Sequence, residues 1–409
     1  MEMWVLSLGL GMAVLCIGLL ARIGILESLN QRPAMVLSVA VIGGMVWGWM
    51  SLPVANAQFT AHLADLGLAA LVFSAGLQFR LTRIRKLSPV AFSLALFASL
   101  LFLAMTAPSA FVLIQGLTLT SAVILATALM LNGSVLERRA VTNSASPDSI
   151  KKAISLESAA ALALGVPLAL IIESTAKMPQ YLDQVWMSAP IWEAPFGLAV
   201  GGALGLVLGR LRHRKMVRKN PDRAIFELAI AAGLLFILLP FIHGSAIIGV
   251  GALSLFWTEE AQFGEAFKRG IRRRVEMLVV PVAYVVFGFA LGPRLLDADA
   301  LVIVFVIAAI TILRVFPRMI LLQSHDIPKD HKAFIAWFGG APGVATALFL
   351  LHLMGSTAIV DQEPVLVIGI SAVFVSVLAT RISAKPLANH FARQARISMK
   401  RRWYQKREA

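Results

Sequence analysis

The stretch Trp337-Phe-Gly-Gly-Ala-Pro-Gly-Val-Ala-Thr-Ala-Leu-Phe-Leu350 places three glycines and a proline inside an otherwise apolar segment. A second apolar segment is interrupted in a similar way by Asn132, Gly133 and Ser134. A membrane tolerates the backbone groups freed by such breaks only where protein or a water-filled cavity satisfies them. One interrupted segment in each half of the chain favours a transporter with inverted repeats and a binding site at the middle of the membrane. Kinked packing helices are the alternative.

The composition places the whole chain in a membrane. Of its 409 residues, 58% are hydrophobic and 14% are charged, and the mean hydropathy is +0.81. Soluble proteins carry about a quarter charged residues, so this composition excludes a water-soluble enzyme, and we expect neither enzymatic activity nor a cofactor. One cysteine, Cys16, and seven scattered histidines predict no disulfide and no metal site.

Recurring apolar segments predict an all-α polytopic membrane protein with about thirteen transmembrane helices. No basic residue precedes the first segment, which favours a spanning helix over a cleaved signal. The segments lie near residues 3–21, 34–51, 61–78, 89–107, 117–142, 152–173, 191–209, 225–242, 244–257, 276–292, 300–322, 332–354 and 363–383.

These segments divide the chain into two halves. We assign a first repeat to about 1–173, a linker helix to about 191–209 and a second repeat to about 225–383. Together they form a membrane domain at 1–383, and a basic cytoplasmic tail follows at 384–409.

The basic residues predict the orientation in the membrane. Of the 37 lysines and arginines, 34 are assigned to alternate loops or to the tail, and Arg318 is counted with these loop residues. Positively charged loops stay cytoplasmic. The exceptions are Lys177, Arg294 and Arg314. We therefore expect a plasma (inner) membrane protein with its N-terminus outside and its C-terminus in the cytoplasm. The net charge of +15 then indicates contact with anionic lipid head groups rather than with nucleic acid.

Two ionisable residues fall deep inside the predicted helices. Glu157 lies about two turns into the sixth segment and Arg314 well inside the eleventh. Charge in hydrocarbon marks a functional candidate by default, but a structural ion pair between these two residues is the reading we favour. The other acidic residues lie near segment ends, where we expect them to reach water or head groups: Asp65, Glu173, Glu193, Glu227 and Glu276.

Five blocks of sequence resemble the monovalent cation:proton antiporters, in the branch of the NhaP proteins and the sodium/proton exchangers. Phe73–Leu77, Asn132–Val135 and Glu157–Leu162 look like the family's Phe-Glu-Gly-Gly-Leu, Thr-Asp-Pro-Val and Glu-Ser-x-x-Asn-Asp. Arg314 resembles its eleventh-helix arginine, and Trp337–Leu350 its Trp-Gly-Gly-Leu-Arg-Gly helix. The resemblance implies thirteen helices, inverted repeats of helices 1–6 and 8–13, a homodimer, and broken helices 5 and 12 that cross beside the ion site.

The chain departs from the family in the chemistry of that site. Leu162, Ala161 and Gly133 stand where the family has its ion-binding aspartate, the asparagine before it and the Thr-Asp-Pro aspartate. Ser74 and Ala341 replace the third-helix glutamate and the twelfth-helix arginine. The candidate transport-site residues are Asn132, Gly133, Ser134, Glu157, Ser158, Ala161, Leu162 and Thr346, with the helix break at Gly340, Ala341, Pro342 and Gly343.

Antiport requires a group that alternates between holding a proton and holding a cation, which is the work of a carboxylate. The hydroxyls of Ser134, Ser158 and Thr346 coordinate cations but do not titrate usefully. Glu157 lies one turn from Ala161 on the same helix face and is the candidate substitute. A salt bridge from Arg314 would keep it ionised.

Three functions follow. The first is exchange of a monovalent cation, Na+ or K+, for H+ through a rewired site. The second is a transport-incompetent relative that acts as a membrane scaffold, sensor or effector. The third is passage of an anion or neutral solute, because positive helix N-termini at an uncharged crossing attract anions.

Overall fold

The computed structural model describes residues 33–49, 56–79, 90, 93–133, 148–177, 192–214, 221–261, 264–325, 328–356, 359 and 361–408. The first predicted helix, at 3–21, and Ser134 lie outside these residues. Within the described ranges the helices coincide with the predicted segments from the second to the thirteenth, which confirms the all-α class. They are α1 (Pro33–Trp49), α2 (Ala57–Gly76), α3 (Ser99–Leu113), α4 (Leu119–Met130), α5 (Asp148–Lys177), α6 (Glu193–Arg214), α7 (Pro221–Leu238), α8 (Ala246–Ala261), α9 (Glu265–Leu291), α10 (Ala300–Ala308), α11 (Arg314–Gln323), α12 (Lys329–Phe338), α13 (Val344–Leu353) and α14 (Gln362–Glu408).

Seven apolar stretches of these helices are long enough to cross a membrane. The last of them begins α14, which continues without a break through the residues assigned to the basic tail. The stretches are Ala57–Gly76, Leu96–Leu113, Ile154–Ala176, Glu193–Leu211, Ala266–Asp297, Ala300–Gln323 and Gln362–Ala384.

Irregular turns recur at matching places in the two halves. A π-helical turn at Leu94–Ala98 leads into α3, and another at Ala309–Leu313 joins α10 to α11. These turns lie in the fourth and eleventh predicted segments, seven segments apart. The breaks in the fifth and twelfth segments have the same separation, as two repeats would require.

The helices pack as two groups. In the scaffold group, which comprises α1, α2 and α6 to α9, α8 contacts α2, α6 and α7, while α9 contacts α1 and α2. In the crossover group, which comprises α3 to α5 and α10 to α14, α4 contacts α3, α5, α13 and α14, and α12 contacts α5 and α11. The groups meet where α2 packs against α5 and α13, α9 against α13, and α1 against α14.

Glycines allow the closest contact inside the scaffold group. A Cβ atom on Gly201 of α6 would lie 2.0 Å from the carbonyl oxygen of Gly249 on α8, and one on Gly205 would lie 2.6 Å from that of Leu253. Small residues let helix backbones approach in this way where lipid offers no hydrophobic driving force. The α6–α8 pair therefore depends on these glycines having no side chain.

We predict that Gly201→Ala lowers the melting temperature of the detergent-purified protein, because the added methyl group forces α6 away from α8. Overpacking of this kind costs roughly 1–3 kcal/mol. The control is Gly233→Ala in α7, where an added Cβ meets no atom within 4 Å. Alanine's helix propensity should leave the control's melting temperature unchanged or raised. Equal shifts in the two variants would contradict the close-packing account.

Candidate functional site

Two broken helices meet end to end at the centre of the crossover group. Helix α4 ends at Met130 and is followed by extended residues at 131–133, while α12 ends at Phe338 and α13 begins at Val344. The structure thus ends the helix of the fifth segment at the predicted place, and residues 339–343 form the break in the twelfth segment. Two polypeptide segments that are not helical therefore lie side by side in the protein interior.

Polar groups of the two breaks form hydrogen bonds with each other. Asn132 and Pro342 form an antiparallel bridge, and the backbone N–H of Gly133 donates to the carbonyl of Ala341 at 3.1 Å. Asn132 is fully buried, and in the orientation that satisfies its surroundings its side-chain amide donates to the carbonyl of Gly340 at 3.3 Å. Proline at 342 has no N–H to leave unpaired. The crossing supplies the hydrogen bonds that a membrane would not.

Thr346 ties the start of α13 to the end of α4. Its hydroxyl donates to the carbonyl of Leu131 at 2.7 Å and accepts from the N–H of Gly343 at 3.3 Å. One side chain thereby pairs a carbonyl left over at one helix end with an N–H left over at another. This candidate residue therefore holds the two breaks together.

A buried ion pair lies directly against the second break. Glu157 of α5 is 0% exposed, and its Oε1 accepts from the Nε of Arg318 on α11 at 3.2 Å. Arg318 also donates to the carbonyl of Arg314 at 2.9 Å. The other carboxylate oxygen of Glu157, Oε2, has no hydrogen-bond partner among the described residues.

The glycines of the second break make room for this ion pair. A Cβ on Gly339 would lie 2.6 Å from Glu157 Oε2, and one on Gly340 would lie 1.5 Å from a guanidinium nitrogen of Arg318. Gly340 also has φ +58, a left-handed backbone that favours glycine. The break thus brings bare backbone onto a buried carboxylate and a buried guanidinium.

The expected partner of Glu157 needs correction. We predicted Arg314, but the guanidinium at hydrogen-bond distance is that of Arg318, which we had counted among the cytoplasmic charges. Arg314 donates to the carbonyl of Trp337 at 2.9 Å, and its guanidinium lies 5.4 Å from the centre of that indole ring. The two arginines are one turn apart on the same face of α11, and the helix continues far enough to bury both.

The chain as a whole matches the transmembrane family of sodium/hydrogen exchangers over residues 11–390. It belongs to the sodium/hydrogen exchanger family. The fold is similar to that of the sodium proton antiporter MjNhaP1 from Methanocaldococcus jannaschii. Its structure at pH 8 has a TM-score of 0.70 and 15% identity, with 96% of this chain and 100% of that chain covered.

An electron microscopy map of the same antiporter matches with a TM-score of 0.64 and 15% identity, covering 93% of this chain and 97% of that one. No curated protein sequence matches. At this identity the likeness shows the fold, while the family match and the apolar helices show a multi-pass membrane protein.

Apolar side chains fill the positions that carry the ion-binding motif in the family resemblance. Leu162 is 1% exposed and belongs to the same core cluster as Leu131 and Val166. Ala161 is 5% exposed and Ala341 is 6% exposed. The structure therefore brings Ala161 and Leu162 into the core, where neither supplies a polar atom from its side chain.

The remaining polar candidates do not all lie at the crossing. Ser158 donates to the carbonyl of Ile154 within its own helix at 2.8 Å. Ser74 of α2 donates to Glu276 of α9 at 3.2 Å, so it contributes to the scaffold group instead of the crossing. Of the predicted candidates, the structure assembles Asn132, Gly133, Thr346 and the residues of the second break, with Glu157 against it. No metal-binding group of His, Cys, Asp or Glu is found among the described residues.

Sequence reasoning missed Arg318, although a signal was available. Arg314 and Arg318 are four residues apart, the spacing at which two side chains share a helix face. Treating Arg318 as a loop charge hid this relation, since the predicted segment ended close to it.

We predict that Gly340→Ala destabilises the purified protein more than Gly116→Ala does. Both glycines have a left-handed backbone, φ +58 and +79, and alanine there costs roughly 1–2 kcal/mol. Only at position 340 does the added Cβ also collide, because nothing lies within 4 Å of Gly116. Thermal unfolding in detergent measures both effects. If the melting temperature falls by the same amount in the two variants, Arg318 does not pack against this break.

Proposed function

We propose that the protein exchanges a monovalent cation, Na+ or K+, for H+ across the membrane through a rewired site in which Glu157 carries the proton. The observation that carries this proposal is the unpartnered Oε2 of Glu157, buried against the backbone of Gly339. A carboxylate oxygen is a ligand for hard cations and an acceptor for a proton, and one without a partner is available to both. Membership of the sodium/hydrogen exchanger family supports the class of reaction.

The exchange step needs Arg318 to move relative to Glu157. The guanidinium of Arg318 lies 3.2 Å from Oε1 of Glu157, so a cation that binds this oxygen has to displace it. Arg318 already donates to the carbonyl of Arg314, which offers it a place to remain when it leaves the carboxylate. Removing the arginine would instead leave a buried charge without compensation.

The proposal includes the setting of the reaction. The distribution of basic residues supports an inner-membrane protein with a cytoplasmic C-terminus, in contact with anionic lipids. The family resemblance supports a homodimer.

We predict that Glu157→Gln abolishes exchange. Everted vesicles that contain the unaltered protein should release protons from their interior when Na+ or K+ is added outside, as a pH-sensitive dye reports. The amide neither titrates nor carries charge, so the release should be lost. The control is Glu260→Gln, which makes the same change to a half-exposed residue of the scaffold group paired with Arg210. It should retain exchange. Absence of exchange with Na+, K+ and Li+ at several pH values would dispose of the proposal.

A second function, a transport-incompetent membrane scaffold, sensor or effector, is favoured by a different observation. The backbone groups of the crossing satisfy each other, and Ala161 and Leu162 are packed as core residues. A site of this kind can be a fixed part of the fold. The basic cytoplasmic face would then contact the protein with which this scaffold, sensor or effector interacts.

Restoring the family's residues separates the two functions. The combined substitution Ala161→Asn, Leu162→Asp and Gly133→Asp supplies the missing asparagine and the two missing aspartates. If the protein has lost its gating motion, this variant should show no exchange in the same vesicles. Recovered exchange would mean that only the site chemistry has changed. Solute flux without any Na+ or proton gradient would instead favour the anion or neutral-solute alternative.

A further inference from the structure

A cluster of three titratable side chains lies away from the crossing. The Nδ1 of His352 on α13 lies 2.5 Å from Asp65 Oδ1 on α2, and its Nε2 lies 2.8 Å from Glu173 Oε2 on α5. The hydroxyl of Ser356 donates to the other oxygen of Glu173. Sequence analysis expected Asp65 and Glu173 to face water or head groups, but the side chain of Glu173 is only 3% exposed.

Both ring nitrogens of His352 therefore face a carboxylate. A neutral imidazole has one N–H, so it can donate to only one of them. Two such hydrogen bonds require either the imidazolium form or a proton on one of the carboxyl groups. The geometry therefore requires one exchangeable proton more than a neutral imidazole between two ionised carboxylates would have.

The cluster joins the two helix groups. Asp65 belongs to the scaffold group through α2, whereas Glu173 and His352 belong to the crossover group through α5 and α13. It lies near the ends of α13 and α5 and in the first half of α2, towards the face that the basic loops avoid. We call this the outer face, following the predicted orientation.

A second ion pair joins the groups at the same face. Arg294, just after α9, donates two hydrogen bonds to the carboxylate of Glu363 at the start of α14, at 2.7 and 2.8 Å. Paired bonds of this geometry between a guanidinium and a carboxylate are among the strong ones. Three other ion pairs of the described residues each stay within one group: Glu157–Arg318, Arg272–Glu276 and Arg210–Glu260.

Part of the cluster is exposed at the surface of the protein. The side chains of Asp65 and His352 are 22% and 17% exposed. Among the side chains that the structure describes, ionisable groups near this face include His62 of α2, Glu193 at the start of α6, Asp361 before α14, and the Arg294–Glu363 pair. Of these, His62 lies 3.9 Å from Asp65 with a side chain that is 82% exposed, and Glu193 accepts from Ser174, the neighbour of Glu173.

We propose that Asp65, Glu173 and His352 form a proton-binding latch that closes the outer face by joining the scaffold and crossover groups, and that proton uptake by Asp65 opens it. With both carboxylates ionised, the imidazolium attracts Glu173 within the crossover group and Asp65 across the group boundary. A proton taken up by Asp65 removes the attraction that crosses the boundary. The latch therefore weakens on acidification. This inference goes beyond cation exchange and does not depend on it.

The test uses a cysteine reporter buried beside the latch. Ala61 of α2 is 7% exposed. It packs at the group boundary, because a Cβ added to Gly355, just after α13, would lie 2.6 Å from the Cβ of Ala61. Ala61→Cys is made in a Cys16→Ser background of the full chain, and the rate of maleimide labelling is measured in detergent. His352→Gln, which cannot carry the charge, should raise the rate roughly tenfold or more, as expected for the loss of charge-assisted hydrogen bonds.

The matched control is His62→Gln, the same change at an exposed histidine beside the same aspartate, and it should leave the rate unchanged. Labelling of the reporter protein should also accelerate as the pH falls, relative to a free thiol at the same pH, and Asp65→Asn should flatten that dependence. If His352→Gln fails to fold, Asp65→Asn alone should raise the rate at neutral pH. Unchanged labelling in the folded variants, or an equal effect of His62→Gln, would overturn the proposal. Labelling needs no ion gradient, so this result is independent of whether the protein exchanges cations.

Discussion

The structure depends on one constraint, which is that backbone hydrogen bonds inside a membrane must be made within the protein. Two helices are broken at the same level, and each break supplies the partners that the other lacks. Gly133 donates to Ala341, Thr346 donates to Leu131, and proline at 342 removes an N–H that would have no acceptor. Neither interruption would be stable without the other, so the crossing holds the crossover group together.

The same constraint explains where charge is found. Bare backbone at Gly339 and Gly340 leaves space, and the space is filled by Glu157 and Arg318. Burying either residue alone would be costly, whereas the pair compensates most of the charge and leaves one carboxylate oxygen without a hydrogen-bond partner in the described part of the chain. In a family of sodium/hydrogen exchangers, we propose that this carboxylate at the crossing supplies the chemistry that Leu162 and Gly133 cannot. The outer cluster around His352 adds a second set of titratable groups, at a boundary between helix groups.

Much of this fold was readable from the residues. Long apolar segments predict helices because a helix satisfies its own backbone hydrogen bonds inside a membrane. Glycine, proline and asparagine mark the two breaks because they disfavour a continuous helix. The partners of charged residues were not readable. Periodicity identifies which side chains share a face, but it does not specify the depth or rotation of one helix against another, so Arg314 was chosen where Arg318 is correct. Asp65, Glu173 and His352 are distant in sequence, and they meet only because α2, α5 and α13 do.

The central claim is that a buried carboxylate at the crossing binds a proton and a cation in competition. Direct binding tests it without any requirement for transport. Purified protein in weakly buffered detergent is mixed with NaCl or KCl, with choline chloride as the reference, and released protons are followed by a pH indicator. The account predicts proton release on addition of Na+ or K+ that is absent in Glu157→Gln. Release of equal size in both proteins, or in neither, would contradict it.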